Sequence, residues 1–236
     1  MASLQKKEAD PSKGKPLFCY TIYREPKRLA DRGGMMVSEH YYSAAPTSER
    51  NPHTWTFTLR GHEFRFTTDS GVFSKRGVDF GTQLLIETFE EPEVAGDLLD
   101  VGCGYGPIGL ALAKSFPNRL VQMIDVNERA LELARENKRA NHIDNVRIYQ
   151  SDLFSEVGEQ RFAAVVTNPP IRAGKRVVHA IFEQSRDHLL DGGELWVVIQ
   201  KKQGAPSALE KLKELFPFVE VASKKKGYYI IKAKKC

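Results

Sequence analysis

Alternating strand-like and helix-like segments over residues 97–200 predict an α/β fold, a mostly parallel sheet covered by helices on both faces. Three observations carry that prediction. Short apolar runs at 97–101, 120–125, 146–152, 163–167 and 194–200 are separated by stretches with helical periodicity. Such alternation favours parallel strands joined by crossover helices. The last 20 residues break the rule: strand-like runs at 218–222 and 228–233 are joined by a short link, so they must pair antiparallel. A chain of 236 residues holds one such domain with a small appendage.

Taken in order, residues 1–35 are rich in Lys, Pro and Gly, and their composition predicts a disordered tail. A second reading is that translation begins at Met35 or Met36, because Arg32-Gly33-Gly34 can be encoded by a purine-rich stretch resembling a bacterial ribosome-binding site. An intact mass that includes the first 34 residues would exclude it. Residues 36–236 are then one domain, with 36–75 a hairpin extension and 76–236 the catalytic core. Trp55, Phe57 and Leu59 alternate with Thr56 and Thr58, and Phe64 and Phe66 alternate again, so 55–60 and 63–67 form a β-hairpin turning at Gly61-His62. Residues 78–90 read as a helix with Leu84, Leu85 and Phe89 inward. Further helices are expected at 108–115, 128–141, 175–190 and 207–215. Asn127 is placed to cap the second of these, with Glu128 favourable at its positive end.

Composition removes several classes of function. No apolar run reaches the roughly 18 residues a membrane span needs. Cys19, Cys103 and Cys236 have neither metal-site nor disulfide-framework spacing, so a reduced cytoplasmic protein without a structural metal is expected. Charge is uneven. Residues 201–236 carry ten Lys against three Glu, within a formal net charge of +5. A basic section of this kind suits phosphate backbones, and equally suits a solvated lysine-rich face.

Two segments carry the chemistry. Asp100-Val101-Gly102-Cys103-Gly104-Tyr105-Gly106 closes a strand and opens a helix. Glycines there let the backbone turn tightly and approach a ligand, and the following peptide N–H groups face it. The dinucleotide fingerprint would need a third glycine at position 107, where Pro107 stands. Asp125, ending the next strand, can accept from both hydroxyls of a ribose, and can equally cap a helix. Asp152 follows the third strand, where it resembles the acid that accepts from an adenine amine in nucleotide-cofactor enzymes and can equally form a turn; Leu153 or Phe154 can then cover a ring face.

The second segment, Asn168-Pro169-Pro170-Ile171, follows the fourth strand. A planar amine is a poor nucleophile because its lone pair is delocalised. The Asn168 side-chain oxygen and the Pro169 carbonyl can each accept one N–H and aim the nitrogen, while the paired prolines fix the backbone. Displacement then proceeds by proximity and preorganised electrostatics. Asn-Pro also makes ordinary turns, so the segment is decisive only beside the glycine loop.

The wording of these segments resembles a known family. GVFSKRGVDFGTQLL at 71–85, LLDVGCGYGPIGL at 98–110, MIDVNERAL at 123–131, SDLF at 151–154 and NPPIRAGK at 168–175 are similar to the methyltransferase small-domain (RsmC-like) family of ribosomal RNA guanine-N2 methyltransferases, in its short single-domain form. The resemblance implies a Rossmann-like class I methyltransferase with a seven-stranded sheet ordered 3-2-1-4-5-7-6. It implies S-adenosyl-L-methionine as cofactor, and ribosomal RNA or a ribosomal particle as partner. It implies cofactor contacts from Phe73, Asp79, Gly81, Thr82, Asp100, Gly102, Gly104, Gly106, Asp125, Asp152, Leu153 and Asn168. Asp79 or Thr82 can alternatively be a helix cap. Catalysis falls to Asn168, Pro169 and Pro170, and substrate contacts to Ile171, Arg172 and Lys175. Most relatives have an aromatic residue where this chain has Ile171, so stacking must be weaker or come from elsewhere, Phe73 or Phe80. Lys75, Arg76, Arg176, Lys201 and Lys202 extend a basic rim. The same site chemistry also serves protein glutamine N5 or DNA adenine N6, and a non-catalytic RNA-binding assembly factor is the reading from another class. The longer family members carry an additional N-terminal domain, which leaves substrate recognition open.

Overall fold

The computed structural model describes residues 49–72 and 77–236. The expectations for residues 1–35, Phe73, Lys75 and Arg76 lie outside them. A hairpin of β1 (His53–Leu59) and β2 (His62–Thr68) leads into α1 (Phe80–Thr88). Five strands then alternate with helices: β3 (Leu98–Val101), α2 (Pro107–Ser115), β4 (Val121–Asp125), α3 (Glu128–Ala140), β5 (Val146–Gln150), β6 (Phe162–Thr167), α4 (Lys175–Asp187) and β7 (Leu189–Gln200). Helix α5 (Ala205–Leu215) and strands β8 (Phe218–Lys225) and β9 (Tyr228–Lys234) finish the chain.

The seven core strands are ordered β5-β4-β3-β6-β7-β9-β8, which is the order the resemblance implies. Strands β3 to β7 pair parallel, and β9 runs antiparallel to both β7 and β8. Alternate residues feed two cores. Leu98, Met123, Val166 and Trp196 pack with α1, α2, α3 and the hairpin, whereas Leu99, Ile124, Val165 and Val197 pack with α4 and α5. Among the described residues no helix is long and apolar enough to cross a membrane.

Several boundaries differ from the sequence expectation, and three of the differences have a clear physical cause. The first hairpin turns at Arg60-Gly61, one residue earlier, with φ of 49° and 77°. A two-residue turn of this kind needs positive φ at both centres. Arg60 is held there because its guanidinium donates to the carbonyls of Ile86 and Phe89, each at 2.8 Å, and lies over the Phe116 ring. Strand β8 runs on to Lys225, and the chain reverses at Lys226-Gly227 with nearly the same φ pair, 48° and 77°. Its lysines read as a link, but an exposed edge strand tolerates charge on both faces. Helix α4 stops at Asp187, and β7 begins at Leu189 with a shifted register that accommodates Gly192-Gly193.

Helix α3 fastens the N-terminal hairpin. Asn137 and Asn141, one turn apart, each grip the backbone of β2: Asn137 takes the N–H and carbonyl of Thr67, and Asn141 those of Arg65. Their carboxamides act as a neighbouring strand would, occupying an edge that otherwise exposes unpaired groups. Asn137 also donates to the Tyr105 carbonyl at 2.9 Å, tying the hairpin to the glycine loop.

Candidate active site

A cavity of about 590 Å³ opens where the strand order reverses, beyond the carboxyl ends of β3, β4, β5 and β6. That crevice is where open α/β sheets place ligands, and its volume suits a nucleotide-sized molecule. The parallel register closes the 68-residue gap between the two chemical segments. Asp100 pairs with Val166, and the Thr167 hydroxyl donates to the Val101 carbonyl at 2.9 Å, so the strand ends carrying the two segments are stitched together.

The cavity wall contains Gly102, Asp125, Asp152, Leu153, Asn168, Pro169, Pro170, Ile171 and Arg172 among the expected site residues. Gly102 has φ of 73°, and a Cβ there would meet nothing within 4 Å. The loop therefore offers an open cradle that only glycine provides without strain. Asp125 stands on the β4 end and is half-buried. Its Oδ2 accepts from the Gly104 N–H and its Oδ1 from the Asn127 N–H, both at 2.9 Å. Burial holds its carboxyl above the usual range, and those hydrogen bonds oppose the shift. The Val126 N–H also donates to this carboxylate, so part of its acceptor capacity is used inside the protein and the remainder faces the cavity. Helix α3 is capped by the Asn127 side chain, as expected, which leaves Asp125 free of that duty.

Leu153 adopts φ of 51°, a left-handed conformation unusual for a branched apolar residue. The Ser151 hydroxyl clamps this turn, donating to the Leu153 carbonyl and accepting from the Glu156 N–H. Leu153 thereby faces the cavity, while Phe154 is buried against the His188 ring and cannot serve as a ring cover. Phe80 is likewise engaged, with the Tyr228 ring 5.7 Å away and the Lys226 ammonium over its face.

In the Asn-Pro-Pro segment, Pro170 has φ of −73° and ψ of 79°, a three-residue turn in which the Pro169 carbonyl accepts from the Ile171 N–H at 2.8 Å. One lone pair of Pro169 is thus already used. Asn168 donates through Nδ2 to the Thr82 hydroxyl at 2.8 Å, which leaves its Oδ1 without a donor from that neighbour.

Other expected contacts lie behind the wall. Asp100 is 1 % exposed; its Oδ2 accepts from the Gly109 N–H at 2.8 Å, and its Oδ1 has no hydrogen-bond partner. Burial pushes its pKa up to about 7. Gly104 and Gly106 are buried too, and a Cβ on Gly106 would meet the Met123 and Leu110 side chains. Asp79 caps α1 by accepting from the Gly81 and Thr82 N–H groups, each at 3.1 Å. Gly81 packs against the Tyr228 ring, where a Cβ would come within 2.7 Å. Lys175 is exposed at the start of α4 and does not reach the cavity.

The sequence reading did not single out Ser151, Val126, Val177, Ile181 or Gln203, all in the wall. Val177 and Ile181 had a signal, a pair four apart on the apolar stripe of α4. Exposed Arg172, Lys175, Arg176, Lys201 and Lys202 stand around the cavity's side of the molecule. The turn at the tip of β8 and β9 joins them, because the Lys201 N–H donates to the Gly227 carbonyl at 2.7 Å. That hydrogen bond adds Lys224, Lys225 and Lys226, all exposed, to the same end.

Comparison with known proteins points one way. The profile of the methyltransferase small domain matches residues 63–232. The uncharacterised protein YbxB of Bacillus subtilis is 68% identical over 200 residues, covering 84% of this chain and all of that protein. The ribosomal RNA small subunit methyltransferase C of Vibrio cholerae is 33% identical over 186 residues, covering 77% of this chain and 53% of that enzyme. Among solved structures, the Thermus thermophilus 16S rRNA N2 G1207 methyltransferase (RsmC) in complex with AdoMet and guanosine superposes with a TM-score of 0.70 at 26% identity, over 81% of this chain and 52% of that one. The chain spans about half the length of these two rRNA methyltransferases.

Proposed function

The chain belongs to the methyltransferase small-domain family and is an S-adenosylmethionine-dependent methyltransferase; from that premise we propose that it methylates the exocyclic N2 of a guanine in ribosomal RNA. The observation that carries this reading is Asn168, whose amide oxygen is left available at the cavity wall beside the open cradle of Gly102. Similarity to an RsmC in complex with guanosine supports guanine as the base. The basic end of the molecule supports a polyanionic substrate. Cations so arranged supply affinity and salt dependence with little choice of sequence.

The residues present fit S-adenosylmethionine. Gly102 provides backbone access, Asp125 at the cavity wall suits ribose hydroxyls with the acceptor capacity its three backbone donors leave, and Asp152 with Leu153 suits an adenine edge and face. When bound, the cofactor supplies a methyl group on a positively charged sulfur. Asn168 Oδ1 and the remaining lone pair of Pro169 accept the two N–H groups of the guanine amine and aim its nitrogen at that methyl. The same acceptors stabilise the positive charge that develops on those N–H groups. Asp125, Asp152 and Arg172 are the titratable groups in the described wall, so the methylated nitrogen, cationic after transfer, gives its proton to water rather than to a histidine or lysine base. A base within a helix must be flipped out to reach Asn168, and Ile171 supplies an apolar contact for it in place of an aromatic ring.

Mass spectrometry of nuclease-digested rRNA, from strains with and without the gene, tests the proposal. Loss of one N2-methylguanosine is expected, and an unchanged modification map contradicts it.

A further inference from the structure

We propose that Thr82 is a positioning residue for Asn168, anchoring its carboxamide with Oδ1 toward the cavity, rather than a contact for the cofactor. The inference rests on the proposed role of Asn168 as acceptor of the substrate amine. A carboxamide has two ends of nearly equal shape and opposite polarity. With Oδ1 toward the cavity, the side chain accepts an amine N–H; turned over, it sets N–H against N–H and expels the same substrate.

Several observations make Thr82 a fixed anchor for Asn168. Its hydroxyl is the acceptor for Asn168 Nδ2 at 2.8 Å, across 86 residues of sequence. Thr82 is 3 % exposed, so water does not compete freely for the hydrogen bond. Its backbone is pinned in the first turn of α1, where the Asp79 carboxylate accepts from the Thr82 and Gly81 N–H groups. Further support comes from the far hairpin: the Tyr228 ring lies against Gly81, so α1 cannot slide toward β9 without collision. Thr82 itself is absent from the cavity wall, whereas Asn168 lies in it.

Removing the hydroxyl while keeping the shape, Thr82→Val, strands the Asn168 N–H in the reactive orientation. Leaving a buried donor unpaired is costly, so the reactive orientation is depopulated and turnover falls on the order of ten- to a hundredfold. Because the cofactor contacts are untouched, S-adenosylmethionine binds as before. Thr82→Ser keeps the acceptor and recovers turnover.

Two measurements on the full-length chain test this. In ¹⁵N-labelled protein bound to S-adenosylhomocysteine, the Asn168 side-chain amide signal should show one hydrogen-bonded, exchange-protected proton in wild type and Thr82→Ser. That protection should be lost in Thr82→Val. An Asn168 signal unaffected by Thr82→Val overturns the inference. In methyl transfer to an unmodified 16S rRNA transcript, Thr82→Val should lower kcat with the calorimetric Kd for S-adenosylmethionine unchanged. A Kd that weakens as much as turnover falls assigns Thr82 to the cofactor and overturns it as well. Absence of transfer by the wild type defeats the ribosomal RNA proposal instead, and the amide signal still decides the role of Thr82.

Discussion

The glycine loop after β3 and the Asn-Pro-Pro segment after β6 sit side by side, yet they spend their residues differently. All of Asn168 to Ile171 reach the cavity. Of the loop, Gly102 faces it, while Gly104 and Gly106 are buried and Asp100 ties the strand to α2 through Gly109. One segment is mostly binding surface. The other is mostly the means of folding such a surface, and it meets the cavity through Gly102 and through Asp125, which the loop holds through Gly104. Two motifs of equal prominence in a sequence therefore need not carry equal chemistry.

The sharpest way to break this contrast is to exchange the expected phenotypes. Asn168→Ala should leave folding and S-adenosylmethionine affinity near wild type while lowering methyl transfer on the order of 10²- to 10³-fold, the usual effect of deleting a preorganised transition-state contact. Radiolabelled transfer with parallel calorimetry measures both; a large loss of cofactor affinity would move Asn168 to the other side of the comparison.

Asp100 should show the opposite behaviour, an effect on stability. Its folded pKa of about 7 lies above the ordinary value of 3.8. The folded chain keeps a proton that the unfolded chain releases, so this group's contribution is full below about pH 4 and is lost as pH rises toward 7. Asp100→Asn imitates the protonated form and should flatten that slope. Relative to wild type it gains on the order of 4 kcal/mol between pH 4 and pH 8 in denaturant titrations of the ligand-free protein. Parallel slopes would show that Asp100 is already charged in the folded state.

Gly109→Ala sharpens the comparison further. A Cβ there would meet Met123 Cγ at 2.5 Å and Asp100 Oδ2 at 3.1 Å, so overpacking of about 1–3 kcal/mol is expected, read as a lower urea midpoint. Gly102→Ala has open space around it and should chiefly weaken S-adenosylmethionine binding, beyond about 1 kcal/mol of backbone strain. Equal losses of cofactor affinity in the two variants would erase the distinction.

Legibility in the sequence follows the same division. Strands β3, β4 and β6 were readable because burial on both faces makes them continuous apolar runs. Asn127 was readable as a cap because capping is local. The turn at Arg60 was misplaced by one residue, since the carbonyls that stabilise its positive φ come from α1 and the segment after it. Lys224 and Lys225 looked like a link because nothing local shows that an edge strand carries them. Gly109 went unnoticed because its neighbour Met123 is on another strand. The Thr82 to Asn168 hydrogen bond spans 86 residues and leaves no periodicity to detect.

The smallest effect belongs to the basic end. Single replacements of Lys224, Lys225 or Lys226 by Ala should weaken RNA binding evenly across sequences and reduce the log–log salt slope by about 0.7–0.9 for each phosphate that is no longer neutralised. S-adenosylmethionine binding, some distance along the sheet, should not respond. A salt slope unchanged in the triple variant would detach the hairpin tip from the RNA surface.

The most direct measurement of the central claim is methyl transfer from S-adenosylmethionine to an unmodified 16S rRNA transcript, or to subunits assembled on it, followed by nucleoside mass spectrometry. The account predicts that the methyl group appears as N2-methylguanosine with wild-type protein and is lost with Asn168→Ala. Methylation of adenine or of protein glutamine, or transfer undiminished by Asn168→Ala, would contradict it.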